Sequence, residues 1–169
     1  MINEEMKKSA MQRAEENYAG GNMNCAEAVM ESLVYTGALN APRKVVAMTC
    51  GFGGGGGMTG NSCGALCAAI MAVGHEWGRE DPYALPAEER TRNLRMKGRR
   101  FNNMMHEFTQ KFGTALCRDI CKQAGGYPKR RDICDKLVPW TTGLAVDHLN
   151  LSEKESDALP YHENIAELK

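Results

Sequence analysis

In GFGGGGGMTGNSCGALCAAIMAVGHEW, Gly51 to Trp77, five consecutive glycines, Gly53 to Gly57, give way within a few residues to an alanine-rich apolar run. No helix or strand tolerates the first part, because glycine gives up more backbone freedom on ordering than any other residue. The second part has no strand alternation. Ala65, Ile70, Val73 and Trp77 recur at helical spacing, and Asn61 or Ser62 stands ready as an N-cap. A glycine loop followed by a helix ending near Gly78 is therefore expected. The most apolar stretch, Ala65 to Gly74, falls well short of the ~18 residues a membrane span requires.

The same spacing of three and four recurs outward from this segment. Upstream, a first helix is expected from about Asn3 to Tyr18, with Met6, Ala10, Ala14 and Tyr18 on one face. A second begins at the N-cap Asn24, with Glu27 three residues on in capping-box position, and ends near Gly37. A third runs from about Asn40–Pro42 to Gly51. Downstream, the longest spans about Pro86 to Phe112, with an apolar stripe of Leu94, Phe101, Met105, Phe108 and Phe112. A short sixth helix capped by Thr114 holds Cys117 and Cys121. A seventh, capped by Asp132 and broken or kinked at Pro139, reaches His148. The reading is an all-α helical bundle of about six or seven helices, with the Gly-rich loop between helices three and four. It is a single domain over 1–169, with a polar tail over 150–169 that frays.

Composition narrows the function classes. The chain has 169 residues, with Lys+Arg and Asp+Glu at 21 each and a formal net charge of zero. That balance argues against a nucleic-acid binder, which is usually basic. The N-terminal MINEEMKKSA has no apolar core of the kind a secretory signal needs. A cytoplasmic location with no membrane partner is expected.

Sulfur stands out, with 7 Cys and 11 Met. An odd cysteine count without a signal segment argues against a secreted disulfide scaffold and for metal ligands, redox-active thiols or small buried side chains. Cys25, Cys63, Cys117 and Cys134 all fall in the first turn of an expected helix. Unpaired N–H groups there stabilise a thiolate, the form that attacks disulfides and binds metals. In an up-down array, helices two, four and six start at the same end, which brings Cys25, Cys63 and Cys117 together. Cys134 can return there after the glycine turn. Cys50, at the end of an apolar helix, reads as a packing residue.

Two further pairs, Cys63 with Cys67 and Cys117 with Cys121, share helix faces at i,i+4. Four thiolates suffice for zinc or an iron–sulfur cluster. However, the chain has no C-x-x-C pair and no C-x-x-C-H motif, so covalent haem is not expected. His75, His106, His148 and His162 show no ligand spacing. In the glycine loop, Gly53, Gly54 and Gly55 are the candidate cofactor-contacting positions. With no strand before them and no phosphate-loop motif, their better use is to leave the Cys63 sulfur open to a partner, a substrate or a cluster. The basic run Arg90 to Arg100 reads as a solvated helix face or a docking face for an acidic protein.

The segments NCAEAVM with Cys25, GFGGGGGMTGNSCGALCAAIMAVG with Cys63, FGTALCRDIC with Cys117 and DICDKLV with Cys134 together resemble the C_GCAxxG_C_C family of redox-active proteins, whose name records cysteines in this order. The resemblance spans about Ala19 to Val146. It implies a small redox-linked helical protein in which Cys25, Cys63, Cys117 and Cys134 are the family-like cysteines, and Cys50, Cys67 and Cys121 are additions. The literal Gly-Cys-Ala is absent; Ser62-Cys63-Gly64-Ala65 stands near it. The expected work is thiol–disulfide or electron-transfer chemistry. Cys63 is the expected nucleophile, Cys25 the resolving thiol, and Cys117 and Cys134 a second pair. The alternatives are a zinc or iron–sulfur site built from Cys25, Cys63, Cys117 and Cys134, and a helical interaction module with incidental cysteines. A redox partner protein is expected, and the Ala- and Gly-rich fourth helix allows close homodimer packing.

Overall fold

The computed structural model describes residues 1–165. Residues 166–169 of the expected polar tail lie outside the described residues. Among the described residues the elements are eight α-helices and two short 3-10 turns, with no strand. The helical bundle expected from the apolar spacing is the fold observed.

α1 (Glu4–Ala19) starts where the Asn3 side chain accepts from the Met6 N–H, and it buries Ala10, Ala14 and Tyr18. α2 (Cys25–Tyr35) carries the complete capping box of Asn24 and Glu27. α3 (Lys44–Thr49) runs into a 3-10 turn, Cys50–Phe52. α4 (Gly64–Trp77) follows the glycine loop. The core is the packing of α1 on α7 (Arg131–Asn150), α2 on α4 and α4 on α7, closed by α1 on α2. Small residues allow these close approaches: Ala10, Ala14, Ala26, Ala28, Ala65, Ala68, Ala69 and Ala72 are all fully buried. Leu33, Leu66, Leu137, Val138 and Phe108 fill the space between them.

Several caps differ from expectation. α4 is capped at Cys63 itself, not at Asn61 or Ser62. Ser62 is held instead in an isolated antiparallel bridge to Leu116. Around it Cys63 N–H donates to the Ala115 carbonyl (2.8 Å) and Cys117 N–H to the Asn61 carbonyl (2.7 Å). This backbone stitch ties the start of α4 to the start of α6 (Cys117–Gln123), whose cap is Leu116 rather than Thr114. α7 (Arg131–Asn150) is preceded by the 3-10 turn Tyr127–Lys129, and Arg130 already has helical dihedrals. Asp132 therefore lies inside the helix and does not cap it. α7 continues through Pro139 without a break.

α5 (Ala87–Phe112) also departs from its expected stripe. Leu94 and Met105 are exposed, while Arg100, Asn103, Met104 and Phe108 are buried. The reason is α8 (Glu153–Ala158), a helix with its own Ser152–Glu155 capping box inside the expected frayed tail. It packs on α5. Arg99 donates to the carbonyls of Asp157 and Leu159, and Lys97 pairs with Glu153 at 2.8 Å. Part of the basic run thus anchors the C-terminal segment. No helix among the described residues is long and apolar enough to cross a membrane.

Candidate functional site

The glycine loop forms a left-handed coil. Gly54, Gly55, Gly56, Gly57 and Met58 all have positive φ, between 56° and 82°. Only glycine adopts this conformation freely, so the run has a definite shape. Its N–H groups from Gly55 to Asn61 donate to carbonyls of the stretch Gly51 to Gly56. They are thus not collected into an anion nest. The backbone N–H of Gly54 is directed at Cys25 instead, together with those of Ala65 and Ala26. Close contact also requires glycine at Gly64, where a Cβ would lie 2.4 Å from the Phe52 carbonyl oxygen and 3.0 Å from the Cys25 sulfur.

The coil forms one wall of a cavity of about 250 Å³ lined by four cysteines, Cys25, Cys117, Cys121 and Cys134. Cys25 is the first residue of α2, Cys117 and Cys121 face in from α6, and Cys134 from the first turns of α7. Tyr18, Tyr127, Arg130 and Arg131 complete the polar wall, and Gly53 and Gly54 the floor. At the mouth the Tyr127 hydroxyl donates to the Met58 sulfur at 3.7 Å. Arg131 is fixed by the carbonyls of Tyr18 (2.6 Å) and Ala19 (2.8 Å). Arg130 stacks over the Tyr127 ring at 4.1 Å. All seven cysteines are free thiols.

The cysteines expected to converge do not share one environment. Cys25, Cys117 and Cys134 line the cavity. Cys63 does not; it is only 5% exposed, packed behind Cys25 in the core. The glycines therefore do not leave its sulfur open, because the coil closes over itself and Gly64 seats Cys25 against the start of α4. Cys121, read as an addition, is in the cavity. Of the loop positions, Gly53 and Gly54 reach the wall, whereas Gly55 packs toward Cys117 Cβ and the Gly60–Asn61 backbone. Cys50 is exposed and outside the cavity, not a packing residue. Tyr18 and Arg130 were missed as site residues. Their signal was present in the buried face of α1 and in the YPKRR turn, but neither residue type announces a thiol site on its own.

The expected low thiol pKa values are also corrected. Burial pushes Cys25 upward, opposed by the N–H groups of Gly54, Ala65 and Ala26. Burial, with Cys25 alongside, pushes Cys63 far upward. Cys117 is pushed up to about 12 by burial and by the neighbouring Cys121. Cys134 is pushed up to about 11 by burial, although the Tyr18 hydroxyl donates to it and Arg130 lies near. Desolvation of the charged form outweighs the helix N-terminus at each of these positions. The side chains also fail to converge as metal ligands: among the described residues no group of three or more His, Cys, Asp or Glu is placed to hold an ion. The four sulfurs expected to bind zinc or an iron–sulfur cluster are split between the cavity and the core behind it.

No curated protein and no solved structure matches the chain. The family model described as "Putative redox-active protein (C_GCAxxG_C_C)" matches residues 23–148, from the turn before Cys25 to the last turn of α7 and so across every cysteine of the cavity. The chain belongs to the C_GCAxxG_C_C family.

Proposed function

We propose that the protein carries out thiol–disulfide exchange in the cavity, with Cys25 as the attacking thiol and Cys63 as the resolving one. The observation that carries this is the central place of Cys25. A negative charge on its sulfur is felt by Cys63, Cys67, Cys117 and Cys134 alike. It also receives three backbone N–H groups besides its own, which favour the thiolate when it forms. Burial of Cys63 reverses the order read from sequence: a sulfur behind the wall resolves, and the sulfur on the wall attacks.

The Cys25 thiolate attacks one sulfur of a substrate disulfide. The S–S bond breaks, and the departing thiolate takes up the proton that Cys25 released. Cys63 then attacks the Cys25 sulfur of the mixed disulfide, its own proton passing to the second departing thiolate. Two electrons and two protons move from the cysteine pair to the substrate, as disulfide exchange requires.

Thiol counting in denaturant on anaerobically purified, metal-free protein, before and after mild oxidation, tests the assignment. The count is expected to fall by two, with Cys25 linked to Cys63 in a peptide map. Seven thiols that stay free, or linkage confined to Cys50 and Cys67, would refute it. Stoichiometric zinc or iron in the protein as isolated would assign the sulfurs to a metal site.

A further inference from the structure

The charge on the cavity wall is one-sided. Two guanidiniums line it and no Asp or Glu does. Arg131 is committed to the Tyr18 and Ala19 carbonyls and lies 3.5 Å from Asp135, which offsets its charge. Arg130 differs. It donates one hydrogen bond, to the Tyr127 carbonyl at 3.2 Å, and stacks on that ring. It has no carboxylate within ion-pair distance among the described residues. The groove that continues past Met58 and Tyr127 adds Arg118, together with Lys122, whose charge Asp119 offsets at 3.2 Å. A guanidinium that is held in place by an aromatic ring and not neutralised by a neighbour offers its remaining N–H groups to a carboxylate.

We propose that the substrate is a small disulfide carrying carboxylates, steered and held at the cavity mouth by Arg130; this rests on the thiol–disulfide reading of the same cavity. Size supports the small molecule. About 250 Å³ is just below the ~300–1,000 Å³ range of small-molecule sites, room for an amino-acid-sized group and not for a loop of a folded partner. The chemistry is the exchange already described, with the carboxylate on Arg130 and the nearer sulfur directed inward to Cys25. Electrons and protons balance within the pair and the disulfide, so one turnover of pre-reduced protein needs no other reactant.

The test compares three disulfides with pre-reduced, metal-free protein: dithiodipropionate (anionic), hydroxyethyl disulfide (neutral) and cystamine (cationic). Each rate of loss of the cavity thiols is divided by the rate of the same disulfide with mercaptoethanol, which removes leaving-group differences. The normalised rate for dithiodipropionate is expected to exceed that for cystamine by about tenfold at low salt. The ratio should shrink as salt is added. Arg130→Gln should bring it close to one, and Arg130→Lys should restore most of it. The salt series on the unaltered protein decides the point even if a variant misfolds. Equal normalised rates for all three disulfides, or a preference for cystamine, would overturn the anionic substrate and leave the exchange chemistry standing. Seven thiols untouched by all three would overturn both.

Discussion

Opposing influences act on the proton of Cys134: burial, with Cys25 and Cys121 nearby, keeps it on sulfur, and the Tyr18 hydroxyl and Arg130 favour its loss. Tyr18→Phe removes the hydroxyl that donates to that sulfur. Alkylation of Cys134 at pH 9 should then slow, by roughly three- to tenfold for up to one unit of pKa, with labelling followed by mass spectrometry. Acceleration would show that the hydroxyl is not a donor there. A second residue carries stability. Glu31, 4% exposed, accepts from Arg13 at 2.6 and 2.8 Å and from Asn17 at 2.7 Å. Arg13 holds this carboxyl below the usual range. A depressed native pKa gives stability that is present above the unfolded value, about 4.3, and lost as pH falls through the native one. Glu31→Gln should therefore cost about 2 kcal/mol near neutrality and progressively less in acid, read from urea midpoints across that range. At this scale the sequence was partly legible. Cysteine positions pointed to one end of the bundle, but the solvent exposure of each sulfur did not follow from its distance to a cap. Cys63 is the clear case: its helix start is real, yet the next residue, Gly64, lets Cys25 and the Phe52 carbonyl press in and seal it.

Among the elements, α7 and α8 show how a polar stretch becomes structure. Arg100 is 3% exposed. It donates to the carbonyls of His148 and Ser152 and lies 4.5 Å from the Trp77 ring. A cation there satisfies the His148 carbonyl in the last turn of α7, where the helix dipole is negative, and ties it to the Ser152 carbonyl at the cap of α8. Arg100→Met keeps the bulk and removes these bonds; it should lower stability by about 2 to 3 kcal/mol. Ser152→Ala breaks the α8 capping box and should cost about 1 kcal/mol. Hydrogen exchange should then quicken in 153–158 first, and uniform quickening across all helices would contradict a local role. The cap at Asn24 was legible because its side-chain acceptor and the N–H groups it takes lie within three residues. The caps at Cys63, Leu116 and Arg130 were not, because those starts are set by contacts with other segments: the Ser62–Leu116 bridge and the 3-10 turn before α7. The buried face of α5 was misread for the same reason, since the α8 that covers it is separated from it by about forty residues of sequence.

For the molecule as a whole, the raised thiols make stability depend on alkaline pH. Cys63, Cys117, Cys134 and Tyr18 all hold their protons more tightly folded than free. Groups with raised native values stabilise the fold fully below their ordinary values, 9.0 for the thiols, and this contribution is lost as pH climbs through the native ones. Urea midpoints should be level from pH 7 to 8 and fall steadily from about 9 toward 11. A flat profile over that range would mean the thiols are solvated. The rate of disulfide exchange should rise over the same interval, since thiolate is the attacking form. The bundle was legible from apolar spacing alone. The cavity was not, because it is closed by the left-handed coil, whose path no periodicity describes. The proton held by Cys134 to about pH 11 has one more consequence. At neutrality the sulfur at that position is therefore held as the thiol and not the thiolate. Peroxide oxidises thiolates and spares thiols, so the reduced sulfur is shielded from sulfenic-acid formation.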